Sequence, residues 1–183
     1  MRCSWADHSD MEREWHDNEW GRIVRDDRRL FELLALKGAQ AGLAWRTVLG
    51  KRDAYRQLFH QFDVERIASM DDDELASVAV NRGIIRHRLK VTSVRANARI
   101  VLGMARRGES LAELLWSFTQ GEPIINAHSE PRDVPMRSDL SDQMSVELQR
   151  RGFQFAGTAI CYSLMQSAGI VNDHLVTCDC YRR

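Results

Sequence analysis

The chain has 183 residues, 44% of them hydrophobic, and its 26 Lys and Arg balance 26 Asp and Glu to a formal net charge of zero. That length and apolar fraction exclude an intrinsically disordered chain and suit a single domain with a real core. No apolar run approaches the roughly 20 residues that span a bilayer, the start does not read as a secretory leader, and the cysteines are too few for a disulfide framework, so a cytoplasmic protein with no membrane contact is expected.

Residues 1–25 hold three of the five tryptophans, Trp5, Trp15 and Trp20, without a helical or strand period, so something must hold this segment. From Asp26, a good N-cap, Leu30, Phe31 and Leu34 follow at helical spacing. Gly38 and Gly42 are expected to interrupt that helix and to let the backbone approach a neighbour closely, just before the indole of Trp45. Tyr55, Leu58, Phe59 and Phe62 form an apolar helical stripe, Asp63 caps a short helix carrying Val64, Ile67 and Met70, and another runs from Asp72 to Val80. Val91, Val94, Ala98, Val101, Leu102 and Ala105 then keep one face apolar for over four turns, with Arg95 and Arg99 on other faces.

Charge is unevenly spread along this stretch. From Leu75 to Gly108 there is no acidic residue, while Arg82, Arg86, Arg88, Lys90, Arg95, Arg99, Arg106 and Arg107 all fall there. Gly83 joins the two helices by a tight turn, for which an unusual glycine backbone is expected. The free N–H groups at the next helix start, with Arg86, Arg88 and Lys90, suit a phosphate. Phosphate contacts position a protein on DNA without reading its sequence, so this basic helix–turn–helix points to the DNA backbone.

Leu111, Leu114, Leu115 and Phe118 form one more amphipathic helix. All three prolines crowd into Gln120–Arg137, which is expected to be a loop. Ser138 or Ser141 caps a helix carrying Leu140, Met144 and Leu148 that Gly152 closes, and Thr158–Gly169, apolar on nearly every side, is expected to be the central buried helix. No segment sustains a period of two, so the fold class is all-α.

Histidine and cysteine gather at the two ends. His174 and Cys178 stand one helical turn apart, and Cys3 with His16 would complete the four-ligand tetrahedral set that structural zinc favours. The alternatives are a Cys3–Cys178 disulfide, disfavoured in a reducing compartment, and unliganded thiols packed as small hydrophobes. Cys180, beside Cys178, is a possible substitute ligand.

Taken together, these residues resemble the 3-methyladenine DNA glycosylase I family of the helix-hairpin-helix glycosylases. The resemblance covers nearly the whole chain and rests on Arg2-Cys-Ser-Trp5, His16-Asp-Asn-Glu-Trp-Gly21, Gln40-Ala-Gly-Leu43 with Trp45, and Gly83-Ile-Ile-Arg-His-Arg88. Leu115-Trp-Ser-Phe118, Arg151-Gly-Phe153, and Cys161-Tyr-Ser163 through Asn172-Asp-His174 to Cys178 complete it. It implies one domain over residues 1–183, a helix-hairpin-helix DNA glycosylase fold whose segments 1–25 and 170–183 are joined by one structural Zn2+ on Cys3, His16, His174 and Cys178. Residues 75–108 would be the DNA-binding hairpin and long helix, with Gly83, Ile84, Arg86, His87, Arg88 and Lys90 at the DNA.

The implied partner is double-stranded DNA carrying an alkylated or otherwise modified base, and no obligate protein partner is implied. Gly42 and Leu43 would lie near the DNA stack, where an apolar side chain fills the gap left by a flipped nucleotide. The implied activity is hydrolysis of the N-glycosyl bond of alkylated purines such as 3-methyladenine, in a pocket of Trp5, Trp15, Trp45 and Gln40 that suits a cationic base. The alternative is a DNA-binding homologue with altered base specificity or no activity.

The chain departs from the family pattern inside this pocket. Trp15 stands where a tyrosine is usual, Ala39 where a glutamine is usual, and Lys37 where a glutamate is thought to accept hydrogen bonds from the methylated base. An ammonium has three donors and no acceptor. Four consequences are open: Glu12, at a position where a pocket tyrosine is usual, pairs with Lys37 or shares the base edge; the specificity moves to a neutral or differently modified base whose acceptors suit a lysine donor; catalysis is lost while the zinc and the DNA hairpin survive; or Lys37 attacks the sugar as a Schiff-base nucleophile. A lysine turned to solvent would change little.

Overall fold

The computed structural model describes residues 1–181, and Arg182 and Arg183 lie outside the described residues. Ser9 caps α1 (Asp10–Asn18), its hydroxyl accepting from the Glu12 amide at 3.2 Å. Asp26 does the same for α2 (Asp27–Gln40), accepting from the Arg29 amide at 2.8 Å. Every residue of α2 from Leu30 to Ala39 is buried, so α2 is the enclosed helix at the centre, with α7 (Arg88–Arg106), α8 (Leu111–Ser117) and α10 (Thr158–Ser167) packed on it. Thr158–Gly169, expected to be the central buried helix, does not hold that place. α10 (Thr158–Ser167) does pack on α2, but its outer edge at Ala159 is exposed.

α2 passes straight through Gly38, contrary to the expected interruption. The missing Cβ there admits the Cβ of Phe155, which a side chain at Gly38 would meet at 3.2 Å. The helix ends at Gln40, and Gly42 turns the chain with a φ of +76° in open space. That glycine is needed for its backbone, not for packing.

Short helices α3 (Trp45–Leu49) and α4 (Arg52–Leu58) follow. The apolar stripe through Phe62 breaks at Leu58, because His60, Gln61 and Phe62 all take positive φ. Phe59 and Phe62 still reach the core, and Arg28 donates to the Gln61 carbonyl at 2.7 Å. α5 (Val64–Ser69) and α6 (Asp72–Val80) are capped by Asp63 and Asp71. α7 (Arg88–Arg106) is the longest helix among the described residues, and its apolar face packs on α5. α8 (Leu111–Ser117) and α9 (Asp139–Arg150) complete the helices, with Ser138 capping α9 as expected.

The fold is helical apart from one parallel pair of two-residue strands, β1 (Ile124–Ile125) and β2 (Val171–Asn172), in register Ile124↔Val171. This pair was not expected from the sequence, since two residues cannot show a period. It pins the proline-containing segment 120–137 to the C-terminal strand, where Asn126 also donates to Asp173 at 2.7 Å. No helix of the described residues is long and apolar enough to cross a membrane.

Candidate active site and metal centre

The N-terminal tryptophans converge with the last turn of α2. Trp5 sits in a 3-10 turn at Ser4–His8, Trp15 on α1, Lys37 and Gln40 at the end of α2, and Trp45 at the start of α3. Together they line a cavity of about 500 Å3. The indoles of Trp15 and Trp45 lie 5.2 Å apart between ring centroids, and among the described residues neither Nε1 has a hydrogen-bond partner. The opposite walls come from segment 131–136 and from Tyr162, Ser163, Gln166 and Asp173.

Lys37 is only 4% exposed, so its side chain is not turned out to the protein surface. Its Nζ lies 3.5 Å from the ring centroid of Trp45 and 5.9 Å from that of Trp15. Among the described residues it makes no hydrogen bond or ion pair, and burial lowers its pKa to about 7. Glu12 does not meet it. The Glu12 carboxylate accepts from the Ser9 hydroxyl at 2.9 Å at the start of α1, and Glu12 is not among the residues lining the cavity. The pairing considered for Glu12 and Lys37 is therefore not formed in this structure.

Among the described residues, one carboxylate does line the cavity. Asp173 is buried, and its Oδ2 accepts from the Tyr162 hydroxyl at 2.7 Å and the Gln166 amide at 2.8 Å. Its Oδ1 takes Asn126 at 2.7 Å and lies 3.2 Å from His128 Nε2. Both oxygens are thus fully used. The Tyr162 hydroxyl is pushed above its ordinary range by burial and by this bond to Asp173.

Behind Trp15 stands an ion-pair network absent from the sequence reading. Arg52 grips both oxygens of Glu19 at 2.8 Å and donates to Glu32 at 2.9 Å, while Arg56 donates to Glu32 at 2.8 Å and Arg29 binds both Glu32 and Glu19. It ties the end of α1 to α2 and α4, with the Arg52 guanidinium 5.2 Å from the Trp15 ring. Despite the desolvation cost, the arginines hold Glu19 and Glu32 below the usual carboxylate range. Residues spread over more than thirty positions leave no local pattern by which such a network could be read.

The two ends of the chain meet beside the cavity, which Cys3 also lines. Cys3, His16, His174 and Cys178 are all buried, with their potential ligand atoms within 4.8 Å of one another. Cys178 Sγ lies 3.4 Å from His16 Nε2 and 3.5 Å from His174 Nδ1, and Cys3 Sγ lies 3.8 Å from His174 Nδ1. A tetrahedral ion with bonds of ~2.3 Å to sulfur and ~2.0 Å to nitrogen separates such atoms by roughly 3.5 Å, so the donor set fits one. Cys3 and Cys178 are not joined as the alternative disulfide.

The surroundings suit ligation as well. His16 Nδ1 lies 2.9 Å from Asp17, which the Arg2 guanidinium holds down to about 2, and His174 Nε2 lies 3.2 Å from the Trp20 carbonyl. Those contacts leave His16 Nε2 and His174 Nδ1 for a metal. Burial pushes the Cys3 thiol up to about 12 and His174 down to about 4, so the imidazole is neutral and able to act as a ligand. Gly21, at φ +76°, passes so close that a Cβ would lie 2.8 Å from His174 Nε2.

The family model described as methyladenine glycosylase matches residues 5–182. The chain belongs to the methyladenine glycosylase family. It is 43% identical over 180 residues to DNA-3-methyladenine glycosylase 1 of Escherichia coli, covering 98% of this chain and 96% of that one. It is 42% identical to DNA-3-methyladenine glycosylase of Haemophilus influenzae, covering 98% and 97%. A crystal structure of a 3-methyladenine DNA glycosylase I superposes with a TM-score of 0.96 at 46% identity over 98% and 99% of the two chains. The Staphylococcus aureus 3-methyladenine DNA glycosylase I, studied for its recognition of 3-methyladenine, does so with 0.93 at 30% identity over 97% and 95%. The relatives' shared activity places this family member among the hydrolases of N-glycosyl bonds.

In this family member the basic segment divides into two sets. Lys90 donates to the carbonyls of Ala39 and Ala41 at 2.9 and 2.7 Å, and Arg95 and Arg99 bind the carbonyls of Met70 and Ala68, so these three hold helix ends. Arg86, His87 and Arg88 are exposed, His87 capping α7 through the Lys90 amide, and among the described residues Arg86 and Arg88 have no partner. Ile84 is buried.

Gly83 does not take the left-handed backbone expected of it. Its missing Cβ instead spares a contact of 2.9 Å with Ala54, and its N–H donates to Asn81. The Ile85 N–H donates to the Tyr55 hydroxyl at 3.2 Å, so part of the turn is spent inside the protein. Leu43 is 40% exposed, and the Lys90 bonds join its turn and the start of α7 to the helix end that carries Gln40. Tyr162, Asp173 and segment 131–136 were missed as pocket walls. Asp173, beside His174, was the one with a visible signal.

Proposed function

We propose that the protein is a base-excision DNA glycosylase that flips an alkylated or otherwise modified purine nucleotide out of duplex DNA and hydrolyses its N-glycosyl bond. The carrying observation is the juxtaposition of an aromatic cavity with a DNA-facing rim. Lys90 ties the exposed Arg86–Arg88 turn, and the Gly42-Leu43 turn, to the helix end bearing Gln40 and Lys37. In this reading 75–108 is the helix-hairpin-helix element, Arg86 and Arg88 hold phosphates, and Leu43 fills the stack. The base enters between the indoles of Trp5, Trp15 and Trp45, and Glu12 takes no direct part.

Cys3, His16, His174 and Cys178 would hold one structural zinc. When bound, the ion supplies a cross-link between the termini, and the chain's own residues do the rest. His16 and His174 are oriented by Asp17 and the Trp20 carbonyl, which also fixes Trp5 and Trp20 on the cavity wall.

The test is single-turnover base release from methylated duplex DNA and from duplexes bearing other modified purines. Wild type should release at least one of them, and Trp45→Ala should slow release roughly 10- to 100-fold, the worth of one base–aromatic stack. Lys37, standing where a glutamate is usual, favours a second reading: a DNA-binding homologue without activity. Salt-dependent DNA binding with no base released by the wild type would support that reading instead.

A further inference from the structure

We propose that Lys37 tunes this cavity for a neutral purine that presents an acceptor, a carbonyl oxygen or an unprotonated ring nitrogen, and that its ammonium gives that acceptor a proton as the N-glycosyl bond breaks. The inference rests on the glycosylase reading and names its substrate class. Lys37 Nζ already occupies the face of Trp45 at 3.5 Å, the place where the indole would otherwise attract a cationic base. Among the described residues no carboxylate lining the cavity has a lone pair to spare, because each oxygen of Asp173 serves two partners.

A cationic base brought to ~4 Å from Lys37 is repelled while the amine keeps its proton, an effect that is strongest below about pH 7 and fades as the lysine deprotonates. A neutral purine is favoured there, since it supplies the acceptor that the three donors of an ammonium lack.

The same residue answers the chemical difficulty of a neutral base. A cationic purine leaves as a neutral molecule, whereas a neutral one would leave as an anion. As the bond from C1′ to the purine nitrogen breaks, its electron pair goes to the purine, whose acceptor takes a proton from Lys37 Nζ, so the base departs neutral. Water adds its oxygen to C1′, and the proton it releases restores the ammonium. The sum is hydrolysis. Burial, which lowers the lysine to about 7, brings its acidity near the working pH and eases the transfer.

The experiment compares wild type, Lys37→Met and Lys37→Glu in single-turnover release of hypoxanthine and ethenoadenine from duplex oligonucleotides and of 3-methyladenine from methylated duplex DNA. Circular dichroism establishes that each variant is folded. Wild type should release a neutral base at least ~100-fold faster than Lys37→Met, consistent with the loss of a general acid, and Lys37→Glu should shift preference to 3-methyladenine. The proposal is overturned if wild type releases 3-methyladenine faster than either neutral base, or if Lys37→Met matches wild type on the neutral ones. Release of 3-methyladenine by Lys37→Glu alone overturns it while leaving a glycosylase scaffold standing. No release by any of the three overturns both readings.

Discussion

Replacing Lys37 by methionine should stabilise the fold, and by an amount that depends on pH. The unfolded amine has its ordinary value of 10.5, and burial in the folded protein lowers it to about 7. At ~1.4 kcal/mol per pH unit this corresponds to roughly 4–5 kcal/mol of destabilisation when both states are protonated, which the Trp45 face offsets by ~1–2 kcal/mol. Lys37→Met should therefore gain ~2–4 kcal/mol at about pH 6. Between the folded and unfolded values the unfolded chain holds a proton that the folded chain has released, so wild-type stability rises with pH. The advantage of methionine accordingly shrinks above about pH 7, by up to ~1.4 kcal/mol per pH unit. Urea unfolding of both proteins from about pH 6 to about pH 9, compared at equal slope, measures the difference directly. A difference that stays flat across this range, or a methionine variant less stable at the acid end, would refute the placement of a buried, carboxylate-free lysine.

Three further outcomes follow from the geometry. Metal analysis should find one zinc per chain, with Cys178→Ser losing it and melting at lower temperature while Cys180→Ser keeps it; a full complement of zinc in Cys178→Ser would remove that residue from the ligand set. Gly83→Ala should cost ~1–3 kcal/mol through a 2.9 Å clash with Ala54 and a 3.0 Å approach to Asn81 Oδ1, and Ala54→Gly should rescue it in part; a glycine required for its backbone would show no rescue. Reversing Arg86 and Arg88 to glutamate should weaken duplex binding and reduce the salt slope by about two, checked by fluorescence anisotropy, whereas an unchanged slope would take this turn off the phosphates.

Much of the scaffold was legible because local rules and tertiary structure agree. Asp26, Asp63 and Ser138 cap the helices they introduce, and the apolar stripe of α7 faces inward as its spacing requires. The pocket tryptophans and the four metal-type ligands were legible as residues of the right chemistry in a recognisable order. Where the sequence misled, two physical causes compete at one residue. Gly38 and Gly83 were read for backbone freedom, but each is small because a neighbour, Phe155 or Ala54, occupies the space a Cβ would need. Periodicity carried the helix past Leu58, where three left-handed residues turn the chain while Phe62 still finds the core.

The sequence by itself determined a helical domain with an acid-free basic turn, an aromatic N-terminal segment and ligands at both ends. Its resemblance to the family also marked Lys37 as the residue out of place. Only the tertiary structure decided what that lysine does. Whether it turned to solvent, paired with Glu12 or stayed in the pocket depends on the distances among α1, α2 and α3, which no local pattern encodes. The fold places Trp45 over its ammonium, keeps Glu12 on Ser9 and spends Asp173 on four other donors. The same limit applies to the basic segment: a run of cations is visible in sequence, but whether each one meets a helix-end carbonyl or faces outward is set by packing. Lys90, Arg95 and Arg99 are drawn inward and Arg86 and Arg88 are left at the surface, because the carbonyls that satisfy the first three belong to segments brought near only by folding.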